Sequence, residues 1–484
     1  MALPTLRIIG FLIGIFLITL AVSMAIPVLT LVFYDRTGDI NSFVWSSLIT
    51  FVAGLALIIP GRPEHVHLRP RDMYLLTVSS WIIVGIFAAL PFLFTQHISY
   101  TDAYFESMSG ITATGATVLS GLDTMSPGIL IWRSLLHWLG GIGFIGMAVA
   151  ILPLLRIGGM RLFQTESSDR SEKVMPRSHM VAKYIVAIYV GFTVLGSLAF
   201  WGAGMGLFDA VNHAMSAIST GGFSTSDQSL AKWDLPAVHW VAVVVMILGS
   251  LPFMLYVSVL RGHRMALFKD EQVQGFLVLL VVIWLVLGTW YWMTTKLHWL
   301  DALRHVAVNT TSVLTTTGFA LGDYSLWGNF SLMLFFYLGF VGGCSGSTAG
   351  GIKIFRFQVA YILLKANLQQ LVHPRAVIKQ VYNGHRLDDD IVRSILTFSF
   401  FFTIIICAIA LGLSLLGLDW ITALTGAAAT VSGVGPGLGE IIGPAGNFSS
   451  LPDAAKWLLT LGMLLGRLEI LTVLVLMTPY FWRH

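Results

Sequence analysis

Four short stretches of this chain share a composition that suits one kind of chemistry: "ATGAT" around Gly115, "TGGFS" around Gly222, "TTGFA" around Gly318 and "GVGPG" around Gly435. Each puts a glycine among small or hydroxyl side chains and carries no charge of its own. Such backbone can turn its carbonyl oxygens toward an axis and replace the hydration shell of a cation, as carbonyl rings do in ion-selective pores. A single copy reads as an ordinary glycine turn. Four copies at corresponding places make that reading untenable.

Each glycine follows an apolar segment that opens on an aspartate: Asp102, Asp209, Asp301 and Asp419 lie thirteen, thirteen, seventeen and sixteen residues before it. A dozen helical residues reach only about 18 Å, against a hydrocarbon core of ~30 Å. These segments must therefore enter the membrane and return, which irregular backbone does only where it is buried or lines a cavity. Aspartate at each start is expected to cap free amides, leaving the partially negative helix ends aimed inward, where a cation is favoured.

The frame is a membrane protein. Of 484 residues, 56 % are hydrophobic and only 11 % charged, against about 25 % charged in soluble domains. Apolar runs at 8–34, 41–60, 73–94, 128–155, 181–203, 236–260, 273–294, 327–350, 393–416 and 456–481 predict about ten transmembrane spans,. The first run is too long for a signal core and lacks a small-residue cleavage pattern, so it reads as a retained helix. Each glycine segment lies between two spans, giving an all-α fold of four helix, pore helix, helix repeats, with two helices before them. The expected divisions are 1–65 for the extra helices, then 66–160, 175–265, 270–360 and 385–484 for the repeats.

Charge placement sets orientation. Arg7, Arg62, Arg69, Arg71, Arg156, Arg161, Arg170, Lys173, Arg177, Lys183, Arg261, Arg264, Lys269, seven more between Lys353 and Arg393, and Arg483 fall on one side. Arg36, Lys232, Lys296 and Arg304 fall on the other. The bias predicts cytoplasmic termini, and makes the positive patches a topology signal rather than a nucleic-acid surface. The two cysteines, Cys344 and Cys407, sit in apolar runs with no metal-ligand spacing,.

Two further features invite function. Residues 339–351, "GFVGGCSGSTAGG", place six glycines in what should be a helix. Each costs about 1 kcal/mol relative to alanine, so the segment should bend; the Gly342, Gly346, Gly350 spacing also fits close helix packing. Arg467 is a charge inside an apolar span, a functional candidate by default; Glu469, two residues on, does not face it. Arg133 and Lys456, near outer helix ends, are read as snorkelling. Glu106 is read either as raising local cation concentration or as a buried, hydrogen-bonded carboxyl, and Asn212 and His213 as packing residues. Catalysis is not expected: no His-Glu-x-x-His or Gly-x-Ser-x-Gly occurs,.

The motifs "TATGAT" (112–117), "STGGFS" (219–224), "TTTGFA" (315–320), "VGPGLGE" (434–440), "GGCSGSTAGGIKIFR" (342–356), "HPRAVIKQVYNG" (373–384) and "GRLEILTV" (466–473) together resemble the TrkH and KtrB family of potassium uptake proteins, the TrkH type above all. The resemblance implies a potassium-selective, channel-like pore in the inner membrane, one per subunit of a homodimer, with no cofactor on this chain. It makes Thr114, Gly115, Gly221, Gly222, Thr317, Gly318, Val434 and Gly435 the filter residues. Sodium-preferring plant relatives are similar but put serine at the first filter position, so Gly115 favours potassium. It implies that the loop of Gly342, Gly343, Cys344, Ser345, Gly346, Ser347, Thr348, Ala349, Gly350 and Gly351 gates the pore, with Arg467 an electrostatic barrier beneath the filter. The implied partner is a cytosolic TrkA-type ring that binds NAD or adenine nucleotides, docking on the basic loops at 156–180 and 353–392. Where the fourth filter copy commonly has asparagine, this chain has Ser432 and Gly433. A symporter driven by protons or sodium is the alternative; fourfold re-entrant segments differ from the broken midplane helices usual in coupled carriers.

Overall fold

The computed structural model describes residues 3–60, 69–150, 175–376 and 378–483. Arg62 and most of the loop expected to dock a partner, including Arg156, Arg161, Arg170 and Lys173, lie outside these residues.

A helical hairpin, Leu3–Ser23 and Ala25–Phe33 against Ile40–Ile58, comes first. Gly14 and Gly54 let its backbones meet closely, since a Cβ on Gly54 would lie 3.0 Å from the Gly14 carbonyl oxygen,. Four units follow. Each begins with a long apolar helix, Pro70–Ala88 continued by Leu90–Gln96, Met175–Gly202, Glu271–Thr294 or Asp389–Leu415. Each then sends in a short helix, Tyr100–Ile111, Leu207–Ile218, Trp299–Leu314 or Trp420–Ser432, followed by irregular backbone that carries the shared glycine. A second helix leaves: Pro127–Ala150, Pro236–Ser250, Asn329–Val341 or Asp453–Arg467.

Polarity is inverted relative to a soluble protein. Leu195, Val286 and Leu411 are exposed on the long helices, while Thr310, Thr311, Ser216 and Ser107 are fully buried on the short ones. The apolar outside suits lipid, and the buried hydroxyls gather on the short helices at the centre,.

Among the described residues, seven helices are long and apolar enough to cross a membrane, and nine if two sharply bent pairs count as one span each. The eighth expected run, 327–350, is helical only over Asn329–Val341 and then leaves the helix. The runs at 236–260 and 456–481 are not straight rods. The first bends by 89° between Ser250 and Phe253, the second by 112° between Arg467 and Ile470. Pro252 explains the first: the residue before a proline is driven out of the helical region, and Leu251 is extended, with φ −91° and ψ 155°. At the second, Glu469 takes a left-handed φ of 58°.

After the glycine-rich stretch the chain resumes as helix Ile354–Val372, then a hairpin of Val381–Tyr382 against His385–Arg386,. Asn383 and Gly384 form its turn with φ of 47° and 77°, as a two-residue hairpin requires,. The Asn383 amide clasps the start of Glu271–Thr294, donating to Asp270 Oδ2 at 2.9 Å and accepting from Glu271 N at 2.8 Å.

Candidate ion pathway

The four short helices end in the same way. The amides of Thr114, Gly221, Thr317 and Val434 return to the carbonyls of Ser109, Ser216, Ser312 and Ala429 at 2.9, 2.9, 2.8 and 2.9 Å. Immediately before these residues, Ala113, Thr220, Thr316 and Gly433 are left-handed, with φ of 53°, 53°, 54° and 73°. Immediately after them Gly115, Gly222, Gly318 and Gly435 have φ of 86°, 85°, 89° and 94°. A positive φ costs a β-branched residue of order 1–3 kcal/mol, so Thr220 and Thr316 are held there by their surroundings. Alternating handedness turns successive peptide groups the same way, unlike an extended strand, where they alternate. Gly433 fills in the fourth copy the slot that alanine or threonine strains to fill in the other three. The departure at Ser432 and Gly433 thus leaves the fourth backbone in register with the rest.

The segments close into a ring. A Cβ on Gly115 would overlap the Gly221 carbonyl oxygen, one on Gly222 that of Thr317, one on Gly318 that of Val434, and one on Gly435 that of Thr114. Each quadrant's glycine makes room for the next quadrant's carbonyl, and the fourth returns to the first. The residue before the glycine is threonine in the first and third copies, where Thr112 and Thr315 bond its hydroxyl at 2.8 and 2.7 Å. In the second copy it is Gly221, because the His137 ring occupies the place a side chain would take. Four uncharged carbonyl oxygens so arranged would offer a neutral, partially negative environment to a dehydrated monovalent cation.

Behind the ring, side chains from the short helices brace the returning backbone, and here the sequence reading fell short. Counting nine residues back from each glycine finds Glu106, His213, Asn309 and Gly426. Glu106 accepts from Val118 N at 3.0 Å and His213 Nε2 pairs with Ser224 Oγ at 3.0 Å. Asn309 accepts from Leu321 N at 2.8 Å; beside the glycine, Thr425 Oγ1 takes over and accepts from Leu438 N at 3.0 Å. Glu106 is a buried carboxyl and His213 a brace rather than mere packing. Nor does Arg133 snorkel: it is 1 % exposed and bonds Glu106 Oε1 through Nε at 2.8 Å,. Lys456, 3 % exposed, likewise turns inward to Asp102 Oδ1 at 2.6 Å,.

The aspartates divide. Only Asp419 is itself the cap, accepting from Thr422 N at 3.1 Å; its hydrogen bonds with Thr422 hold the carboxyl below the ordinary aspartate range. Asp102, Asp209 and Asp301 stand two residues into their helices, capped by Ser99, preceded by Gly206, and capped by His298. They still lie in the first turn, where a negative charge complements the dipole.

Beneath the ring lies the glycine-rich loop, with left-handed φ at Gly342, Gly346, Gly351 and Lys353. It is not a packed helix stripe. The bend at Leu251 and Pro252 strips two carbonyls of their helical partners, and the loop supplies new ones: Thr348 N donates to Gly249 O at 3.2 Å and Cys344 N to Ser250 O at 3.0 Å,. Thr348 Oγ1 reaches the end of the second short helix, donating to Ile218 O at 3.0 Å. Gly350 N donates to Thr316 Oγ1 at 2.6 Å, and a Cβ on Gly350 would overlap the Ser432 carbonyl oxygen,. The loop is therefore pinned to the second, third and fourth quadrants. Gln272, unremarked in the sequence, accepts from Ser345 N at 2.6 Å.

Arg467 ends its helix below the ring, buried, donating to Thr348 O at 2.7 Å with its guanidinium 4.1 Å over Phe144,. Lys353, also missed as a site residue, donates to the next carbonyl, Ala349 O. Glu469 pairs with Arg356 at 2.9 Å, as expected of a residue that cannot face Arg467. Thr114, Gly433, Gly350, Lys353 and Arg467 share one cavity under the ring. Two buried basic side chains thus line the cavity under the ring,. Among the described residues no group of three or more His, Cys, Asp or Glu side chains forms a metal site.

Known proteins share this architecture. Residues 40–483 match the profile of the family described as "TrkH: Cation transport protein". The chain is 50 % identical over 469 residues to the Trk system potassium uptake protein TrkI of Halomonas elongata, covering 96 % of this chain and 95 % of that one. It is 37 % identical over 488 residues to TrkH of the same organism, covering 99 % and 100 %. It superposes on the crystal structure of the potassium transporter TrkH from Vibrio parahaemolyticus with a TM-score of 0.91, at 36 % identity and 99 % coverage of both chains. This chain belongs to the TrkH family of cation transport proteins.

Proposed function

We propose that the chain conducts potassium down its electrochemical gradient across the inner membrane, for uptake, with both termini in the cytoplasm. The closed ring in which each shared glycine admits the preceding carbonyl of the next quadrant carries this reading. Thr114, Gly115, Gly221, Gly222, Thr317, Gly318, Val434 and Gly435 are its filter. The relatives' names as potassium uptake proteins support the ion.

The loop Gly342–Gly351 is the gate and Arg467 its electrostatic lock, since the arginine both places a charge under the filter and bonds the loop backbone. Displacing the loop and swinging the guanidinium aside would open the path together. The word "system" in the relatives' names supports a partner; a cytosolic TrkA-type ring sensing NAD or adenine nucleotides, on a homodimer of this chain, fits that role.

Flux through the purified protein in liposomes, with potassium and sodium, with and without the ring, tests this. Reversal potentials should track the potassium gradient alone. A dependence on an imposed proton or sodium gradient would instead establish coupled symport.

A further inference from the structure

The hydrogen bonds that hold the carbonyl of the second residue after the shared glycine differ in kind among the first three quadrants. Thr117 O accepts from Phe448 N at 2.8 Å and Ala320 O from Leu230 N at 3.1 Å, both neutral amides. Ser224 O accepts instead from Arg133 Nη1, a guanidinium, at 2.9 Å. The same arginine donates through Nη2 to Thr117 Oγ1 at 3.1 Å. Thr117 and Ser224 are the corresponding residues of the first and second quadrants, so one side chain spans the junction between them. Its planar fork suits this task, because two donors leave in fixed directions. The guanidinium also lies 4.0 Å over the ring of Phe223, which stacks on His137 at 4.1 Å,.

A buried cation beside a cation pathway would repel the ion it helps to position. Glu106, fully buried, removes that charge: its Oε1 accepts from Arg133 Nε at 2.8 Å, and both its oxygens bond Thr117 Oγ1 at 3.0 Å,. Resting on the proposed filter, we infer that Arg133 and Glu106 are a positioning pair for ion selectivity. The guanidinium fixes the spacing of the first and second filter segments, and the carboxylate cancels its field.

The two roles separate experimentally. Potassium and sodium permeability would be measured in liposomes for wild type, Arg133→Lys, Glu106→Gln and the double variant Glu106→Gln with Arg133→Met. The double variant leaves no unpaired buried charge, which guards against a misfolded single variant. Arg133→Lys keeps the charge pair but loses the fork, so the potassium to sodium ratio should fall about tenfold, equivalent to ~1.4 kcal/mol. The double variant should fall by a similar factor. Glu106→Gln exposes the guanidinium charge and gives up one acceptor, since its amide NH2 must face either Arg133 Nε or Val118 N, so half-saturating potassium should rise about tenfold. A folded variant that passes no current is read by calorimetric titration with the two chlorides, where the same changes are expected.

Wild-type ratios in Arg133→Lys and in the double variant would overturn the inference, even with lowered unfolding temperatures, because a merely structural pair would move stability and not selectivity. Wild-type protein that carries sodium as readily as potassium would sink the potassium reading, yet the variants' ratios relative to it would still judge the pair.

Discussion

Asp102 and Lys456 stand 354 residues apart in the chain, and their side chains meet at 2.6 Å. The lysine also donates to Ser449 O at 2.9 Å. The contact ties the start of the first short helix to the last unit, so the ring is joined by an ion pair where its ends come together.

Replacing Lys456 with methionine keeps the apolar stem and strips Asp102 of its cation. The loss should be about 2 kcal/mol, below the ~3–5 kcal/mol of a fully enclosed pair because Asp102 is partly open to solvent. Unfolding temperature in detergent measures it, and Lys456→Met combined with Asp102→Asn should recover much of the loss.

Asp419→Ala removes the one of the four short-helix aspartates that is itself the cap, at a cost of about 1 kcal/mol at neutral pH. Because its folded-state pKa is depressed, the cap's contribution is complete above the unfolded value of ~3.9 and is lost as pH falls through the folded one. Wild type and variant should therefore converge in stability on acidification. A gap that persists at low pH would mean that the carboxylate's charge does not matter.

Gly222→Ser puts a side chain where the Thr317 carbonyl oxygen lies, on a backbone with φ of 85°,. Potassium over sodium selectivity should drop by about tenfold or more, as befits a displaced ring oxygen. Full selectivity in a folded Gly222→Ser protein would refute the ring assignment.

Arg467→Ala deletes both a buried cation and the bond to Thr348 O. Potassium flux without any partner should rise about tenfold, which takes only ~1.4 kcal/mol off the barrier. Unchanged or lower flux in folded protein would remove Arg467 from the gate.

Gly350→Ala tests the loop without touching that charge. The added methyl would overlap the Ser432 carbonyl oxygen, forcing the loop down from the fourth quadrant. Flux should lie between wild type and Arg467→Ala, and stopped-flow thallium entry would resolve the order.

How much of this could be read in advance follows from how local each cause is. The four glycines were visible because their demand is local: a positive φ that only glycine adopts freely, set among small neighbours. The poor match of Glu469 to Arg467 followed from helix geometry alone, and Arg356 turned out to be its partner. Arg133 and Lys456 were misjudged because the acids that draw them inward lie on other helices, 27 and 354 residues away. Gly221 had no explanation until His137, from the preceding unit, was seen to fill the space beside it. The braces Glu106, His213 and Asn309 shared a register but not a chemistry, so no motif announced them. The run at 236–260 was expected as one span, and neither its bend at Pro252 nor the carbonyls that the bend frees for a loop some ninety residues later could be read from it,.

The ring's order has a meaning in time as well as space. A chain emerging at about 5–20 residues per second delivers three quadrants well before the fourth, and Gly435 is the residue that meets the Thr114 carbonyl. Until the final unit inserts, the first segment has no neighbour on one side and the Asp102 carboxylate no lysine. The ring is thus incomplete until its last-made part arrives, and that part is the clasp that closes it.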